Sequence, residues 1–245
     1  MSTWRLGFPF DAARTAALIA ISFVLPSAMA VAGEVHSEVA ITRRDGSPAR
    51  DASNVVVWLI PVGDQASTSA PAPGRFTLSQ KNKQFSQHLL VVPVGSVVEF
   101  PNLDPFFHNV FSFFQGKRFD LGLYEAGRSR GVKFDRVGVS FIFCNIHPEM
   151  SAAILALPTK LYGVSSSKGE LRIQDVPPGQ YRMQVWHELA SPQDLTALAR
   201  TIRVENSSTD LGRIAIREVI EPNPPHKNKY GQDYEQHPRY DPGSR

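Results

Sequence analysis

Among the 245 residues of this chain, reactive types in tight spacing occur at Cys144, His147 and Met150, which run C-x2-H-x2-M, with His108 upstream. A trigonal set of two histidines and a cysteine with a weak, long axial methionine is the donor arrangement of mononuclear blue-copper electron-transfer sites. The thiolate and two imidazoles fix a plane, and the thioether favours the reduced ion. Cys144, His147 and Met150 are close enough for one loop between two strands to supply all three. Pro148 would stiffen that loop where a ligand has to be held still. His108 follows another predicted strand and would close the plane from elsewhere in the sequence.

The elements that must position these residues read as strands. Val35, Val39 and Ile41 alternate with polar residues, Asp45-Gly46-Ser47-Pro48 makes a turn, and Val55 to Ile60 forms a second run. Asp64 to Gly74 is a Ser-, Ala- and Pro-rich loop. Leu89–Val94 and Ser96–Phe100 bracket a turn at Pro93–Gly95. Val132–Asp135 is a short strand, Val137–Phe143 leads straight into Cys144, and Ser151–Leu157 follows the ligand loop. Beyond Pro158 come Gly169–Ile173, a Pro177-Pro178-Gly179 turn, and Tyr181–His187, with Tyr181, Met183 and Val185 on one face. Ser191 to Arg200 reads as a helical turn or loop with Ser191 as N-cap and Pro192 at the first position. Thr201–Val204 and Leu211–Ile216 alternate again. From residue 220 the chain is polar and Pro-rich with few aliphatics, a composition expected to stay disordered.

On these residues the chain resembles the cupredoxin family, and the Cys-to-Met spacing is most similar to amicyanin. The likeness runs closely over Phe85 to Leu157. In that family an Asn after the first histidine hydrogen-bonds near the cysteine sulfur and ties the two ligand loops together, which implies that role for Asn109. The pattern F-P-N-x-D before His108, with F-D-L-G-L-Y (Phe119 to Tyr124) after it, looks like the plastocyanin-like proteins of methylamine utilisation. Val176 to Tyr181 with its flanking strands is similar to the carboxypeptidase regulatory-like β-sandwich. The resemblance implies an all-β chain: a Greek-key cupredoxin β-sandwich over 33–158, a smaller β-sandwich unit over 159–219 and a tail over 220–245. The second unit is short for a core of its own; it leans on the copper domain or completes its sandwich with the first strands.

Residues 1–32 are expected to be a signal peptide. Arg5 and Arg14 precede an apolar run from Thr15 to Leu25, and Ala28-Met29-Ala30 or Ala30-Val31-Ala32 offers a cleavage site. Export to a periplasm follows, with no membrane attachment after cleavage. In that compartment a lone cysteine signals intermolecular pairing, a reactive thiol or a ligand. Net charge is +3 with 26 basic and 23 acidic residues interspersed, so nucleic-acid binding gains little. His88, His187, His226 and His237 read as surface or satisfied residues, and His36 as a binder of stray metal at most. Phe106, Phe107, Phe111, Phe113 and Phe114 are assigned mostly to the core, with some of them expected to ring the site and exclude water.

The leading expectation is a non-enzymatic, one-electron copper protein that holds one type 1 ion and meets a transient redox partner. Three readings compete: copper handling or storage on the same ligands, a structural β-sandwich with a vestigial site, and a cysteine nucleophile with His147 as base.

Overall fold

The computed structural model describes residues 33–63, 72–113, 116–221 and 226–234. The expected signal peptide, most of the 64–74 loop, Phe114 and His237 lie outside the described residues. Two strands come first, β1 (Gly33–Thr42) and β2 (Val56–Pro61). Ten follow: β3 (Arg75–Thr77), β4 (Gln80–Lys81), β5 (Gln84–Phe85), β6 (Leu89–Pro93), β7 (Val97–Pro101), β8 (His108–Ser112), β9 (Phe119–Tyr124), β10 (Ser129–Lys133), β11 (Gly138–Cys144) and β12 (Ser151–Leu157). The last group is β13 (Tyr162–Val164), β14 (Glu170–Val176), β15 (Gly179–Trp186), helix α1 (Pro192–Leu198), β16 (Arg200–Val204) and β17 (Thr209–Arg217).

The architecture is all-β and built from two sandwiches. In one, the sheet β6-β12-β11-β8-β9 faces the sheet β10-β7-β3. Their inner faces share a core of Leu78, Val92, Val98, Phe100, Val110, Tyr124, Phe134, Ile142 and Ile154. β6 lies parallel to β12 and β3 parallel to β7, so the chain crosses between the sheets as a Greek-key sandwich requires. In the other, β14-β1-β17 faces β13-β2-β15-β16 over Val35, Val39, Val57, Leu59, Leu171, Tyr181, Met183 and Ile214.

This second sandwich takes the alternative in which the C-terminal unit completes its sandwich with the first strands, and so differs from a boundary drawn at residue 158. β1 and β2 fall within the copper unit if the boundary is drawn at residue 158. Their hydrogen bonds run instead to β14, β17, β13 and β15, and their inward side chains lie in the core those strands build. Neither half could bury its apolar face alone, so the two complete one another across the intervening strands.

The continuous apolar runs of β2 and β12 have a common cause. Val55, Val57 and Leu59 point into the second sandwich's core, whereas Val56 and Trp58 point the other way. In β12, Ala152, Ile154 and Ala156 enter the first sandwich's core, while Leu155 and Leu157 meet Val56, Trp58, Val91 and Trp186 in a cluster between the sandwiches. A strand apolar on both faces is a strand buried on both faces. β12, which follows the ligand loop, is therefore held from two sides. α1 forms as the cap residues dictate: the Ser191 side chain accepts the Asp194 N–H at 3.0 Å, with Pro192 opening the helix.

Candidate metal centre

Period-2 alternation delivers the donor residues to one end of the first sandwich. Cys144 ends β11 on the same inward face as Ile142, and Val110 of β8 lies opposite it across the ladder. His108 opens β8, a strand with all five residues buried. Residues 145–149 then turn the chain back into β12, with Met150 donating its N–H to the His147 carbonyl at 3.1 Å and accepting the Cys144 N–H at 3.3 Å.

Cys144 Sγ lies 3.6 Å from His108 Nδ1 and 3.5 Å from His147 Nδ1, and the two Nδ1 atoms are 3.1 Å apart. The point in their plane equidistant from the three lies about 2 Å from each, close to the ~2.0–2.3 Å that a first-row ion such as zinc takes to imidazole and thiolate. Among the described residues this is the one group of three or more metal-ligating side chains with converging donor atoms. His108 and Cys144 are fully buried, whereas His147 is half-buried at the rim. Met150 is buried in the core cluster that contains Cys144. The donor set fits a soft, thiolate-preferring ion.

The surroundings favour a protonated Cys144 thiol and a neutral His147 ring until a cation arrives. Burial pushes the Cys144 thiol above its ordinary range, and the backbone amides of Asn109, Ile146 and His147 oppose that without outweighing it. Burial, then the His108 ring and Lys83, hold His147 below the ordinary histidine value. Metal binding at this site must therefore release the thiol proton.

His108 is oriented by a residue to which sequence reasoning gave no role. Its Nε2 lies 2.9 Å from Oδ2 of Asp104, itself buried. That acceptor places the ring proton on Nε2 and leaves the Nδ1 lone pair facing Cys144 and His147. Burial pushes the Asp104 carboxyl up, but the Lys83 amide, His108 and the Asn82 amide outweigh it and hold the group low, as a carboxylate. The signal was present in the F-P-N-x-D pattern, since Asp104 stands four residues before His108.

Asn109 meets the ligand loop through its main chain. Its carbonyl accepts the Asn145 N–H at 3.3 Å, and its backbone amide is one of the three that favour the thiolate. Its side chain turns away and donates to Asp120 Oδ1 at 2.6 Å. The phenylalanines divide. Phe111 is buried, whereas Phe106 and Phe107 are exposed; Phe107 thereby departs from the core assignment, and Phe106 takes the place at the rim of the site that the sequence reading allowed for some of them. Phe106 sits against the rings of His108 and His147, with centroids 5.3 and 5.5 Å away, so it shields the site at the surface.

The tail also departs from expectation. Residues 226–234 lie against the ligand loop: His226 Nε2 is 2.8 Å from the Pro148 carbonyl, and the Tyr234 hydroxyl donates to the Cys144 carbonyl at 2.9 Å. Few aliphatics are needed, because docking here uses hydrogen bonds to carbonyls that the loop does not use itself. His226, read on sequence as a surface or satisfied residue, is the latter: besides its bond to Pro148 it packs its ring on Phe143 with centroids 4.0 Å apart. The other described histidines are paired: His187 with Glu218, His36 with Ser208, and His88 with Glu188.

No protein-family model and no curated protein matches the chain. Solved structures do. A copper-containing nitrite reductase (NirK) from Thermus scotoductus SA-01 is 28% identical over 40% of this chain and 25% of its own length, with a TM-score of 0.33. The chain thus spans about a quarter of that enzyme. A purple cupredoxin from Nitrosopumilus maritimus is 23% identical over 34% of this chain and 99% of its own, with a TM-score of 0.31. Amicyanin from Paracoccus versutus is 18% identical over 40% and 91%, with a TM-score of 0.32. The chain itself, over its described residues, is an all-β protein in which one β-sandwich carries a His–Cys–His cluster beside a second β-sandwich.

Proposed function

We propose that this chain is an exported type 1 copper protein that transfers single electrons, with His108, Cys144, His147 and Met150 holding one copper ion. The observation that carries the reading is the convergence of Cys144 Sγ with the Nδ1 atoms of His108 and His147 at 3.1–3.6 Å. A copper ion there supplies a one-electron Cu(II)/Cu(I) couple. The protein's part is to keep the donors in one arrangement and to exclude water. Asp104 fixes the His108 tautomer, the β12 strand anchors the loop from behind, and Phe106 shields the two imidazoles. Four protein donors leave no position for a substrate, which favours electron transfer over catalysis.

His147 is the port in this reading. It is the half-buried ligand; Ile146 and Pro148, its neighbours in the chain, are exposed, as is Phe106 against its ring. Small apolar patches of this kind suit weak, short-lived redox encounters. The domain division that supports the site is a copper-binding sandwich of residues 72–157 set between the two halves of the other, 33–63 and 158–221. We assign the latter to a carboxypeptidase regulatory-like module that packs against the copper unit rather than acting chemically. Its Pro177–Gly179 turn is fastened by the Tyr181 hydroxyl on the Pro177 carbonyl at 2.7 Å. Among the described residues no helix is long and apolar enough to cross a membrane, and export rests on the N-terminal signal pattern.

The test is metal stoichiometry combined with electrochemistry on the mature protein. One copper per chain and a reversible one-electron wave are expected. Copper bound with no reversible wave would favour storage, and a preference for zinc would refute the assignment.

A further inference from the structure

We propose that the segment His226–Tyr234 is a positioning part of the metal centre, a strap that holds the Cys144–Met150 loop in its ligating shape from outside. The inference rests on the copper reading of that loop. The strap reaches three of the loop's first five residues. His226 Nε2 donates to the Pro148 carbonyl at 2.8 Å, the Lys229 N–H donates to Asn145 Oδ1 at 2.9 Å, and the Tyr234 hydroxyl donates to the Cys144 carbonyl at 2.9 Å. The His226 ring lies on Phe143, one residue before Cys144, tilted by 31°. Tyr234 then packs edge-on against His226.

Comparison with the loop's own ties shows what the strap adds. The main-chain bonds Cys144–Met150, His147–Met150 and Asn109–Asn145 measure 3.1–3.3 Å, against 2.8–2.9 Å for the bonds supplied by the strap. The strap's bonds are the shorter set, and ligand atoms displaced by a fraction of an ångström bind less well. Through Asp120 of β9 the strap also reaches the strand that carries His108. Lys229 Nζ meets Asp120 Oδ2 at 2.9 Å, and Asp120 Oδ1 receives the Asn109 carboxamide at 2.6 Å. One segment thus braces both chain sections that bear ligands, the end of β11 and the start of β8.

These contacts fall on residues 120, 143–145 and 148, and none falls on the His147 ring. The strap therefore braces the loop without covering the electron port. A polar segment of this composition has no general tendency to order. It orders here on acceptors that only the folded loop presents.

The experiment compares the mature protein with a chain ending at Glu221, with Tyr234→Phe and with Lys229→Ala. Copper(I) affinity is measured by chelator competition, the reduction potential by voltammetry, and Cys144 alkylation by iodoacetamide in the metal-free proteins. The shortened chain should bind copper roughly 10- to 100-fold more weakly, the range set by loss of groups that orient metal ligands. Its Cys144 should alkylate on the order of tenfold faster, since the loop opens more often. Tyr234→Phe and Lys229→Ala should shift affinity in the same direction by less, and the potential should move with them. Affinity and alkylation rate both unchanged within about twofold, with the potential unmoved, would overturn the strap. If the shortened chain fails to fold, the two point variants decide by the same criteria. If the full chain takes no copper, the metal reading fails, while the alkylation comparison still decides whether the strap holds the loop.

Discussion

Replacing Asp104 by Asn is the sharpest probe of how the site is held. Asp104 Oδ1 accepts the Asn82 N–H at 2.6 Å, and Oδ2 accepts the Lys83 N–H at 3.0 Å and faces His108 Nε2 at 2.9 Å. All three partners are donors, so an amide in either orientation sets its NH2 against at least one of them. The better orientation keeps oxygen toward Lys83 and His108 and turns the NH2 onto the Asn82 amide. One charge-assisted bond is then lost, worth about 1.5–3 kcal/mol. The His108 bond is also weakened, because its acceptor no longer carries charge. The expected destabilisation of the metal-free protein is about 3 kcal/mol, read by urea or guanidinium unfolding. Copper affinity should fall by roughly 10- to 100-fold, as for other groups that orient metal-bound histidines. A stability change within about 0.5 kcal/mol, the range of ordinary surface substitutions, together with unchanged affinity, would refute the role given to Asp104.

The packing and electrostatics outside the site make three further predictions. Leu155→Ala should cost about 2–5 kcal/mol, as a core deletion does, because Leu155 faces the cluster between the sandwiches; a cost near zero in a denaturant titration would contradict the two-sided burial of β12. Gly169→Ala should destabilise by about 1–3 kcal/mol or more, since Gly169 has a φ of +84° and a Cβ there would meet the Val39 carbonyl at 2.1 Å; a neutral result would argue against the close seating of β1 on the C-terminal strands. His88 is raised above its ordinary 6.5 by the Glu188 side chain, against the opposing effect of burial. Its stabilisation is therefore full below about pH 6.5 and is lost as pH rises through the raised value. The stability gap between the protein and His88→Gln should be larger at pH 5.5 than at about pH 9, and a gap that grows with pH would reverse the sign of the argument.

Local spacing revealed the ligand loop, and alternation revealed most of the strands. Cys144, His147 and Met150 are three apart, so a single turn brings them together with no knowledge of the rest of the fold. The run from Val55 to Ile60 declares a strand buried on both faces, yet nothing local says what lies on either face. That is why β1 and β2 were assigned to the sandwich that follows them. Their partners, β14 and β15, stand over a hundred residues away in sequence, beyond the reach of any local pattern. β8 escaped notice for another reason: it starts on His108, within a phenylalanine-rich stretch that gives no clean alternation. Asp104 was visible as a residue of a motif but not as a partner, because its geometry depends on the fold of the loop between β7 and β8. Residues 226–234 of the tail depart from the sequence reading because composition reports buried apolar area. His226, Lys229 and Tyr234 dock instead on two backbone carbonyls and two polar side chains, acceptors that leave no trace in hydrophobicity.

The central claim is that Cys144 gives its thiolate to a copper ion together with His108 and His147. It is tested most directly by the visible and electron paramagnetic resonance spectra of the mature protein after addition of Cu(II), beside those of Cys144→Ser. An intense blue band with narrow copper hyperfine splitting, absent from the variant, is the predicted result. A colourless protein that retains no copper, or spectra that the serine substitution leaves unchanged, would contradict it.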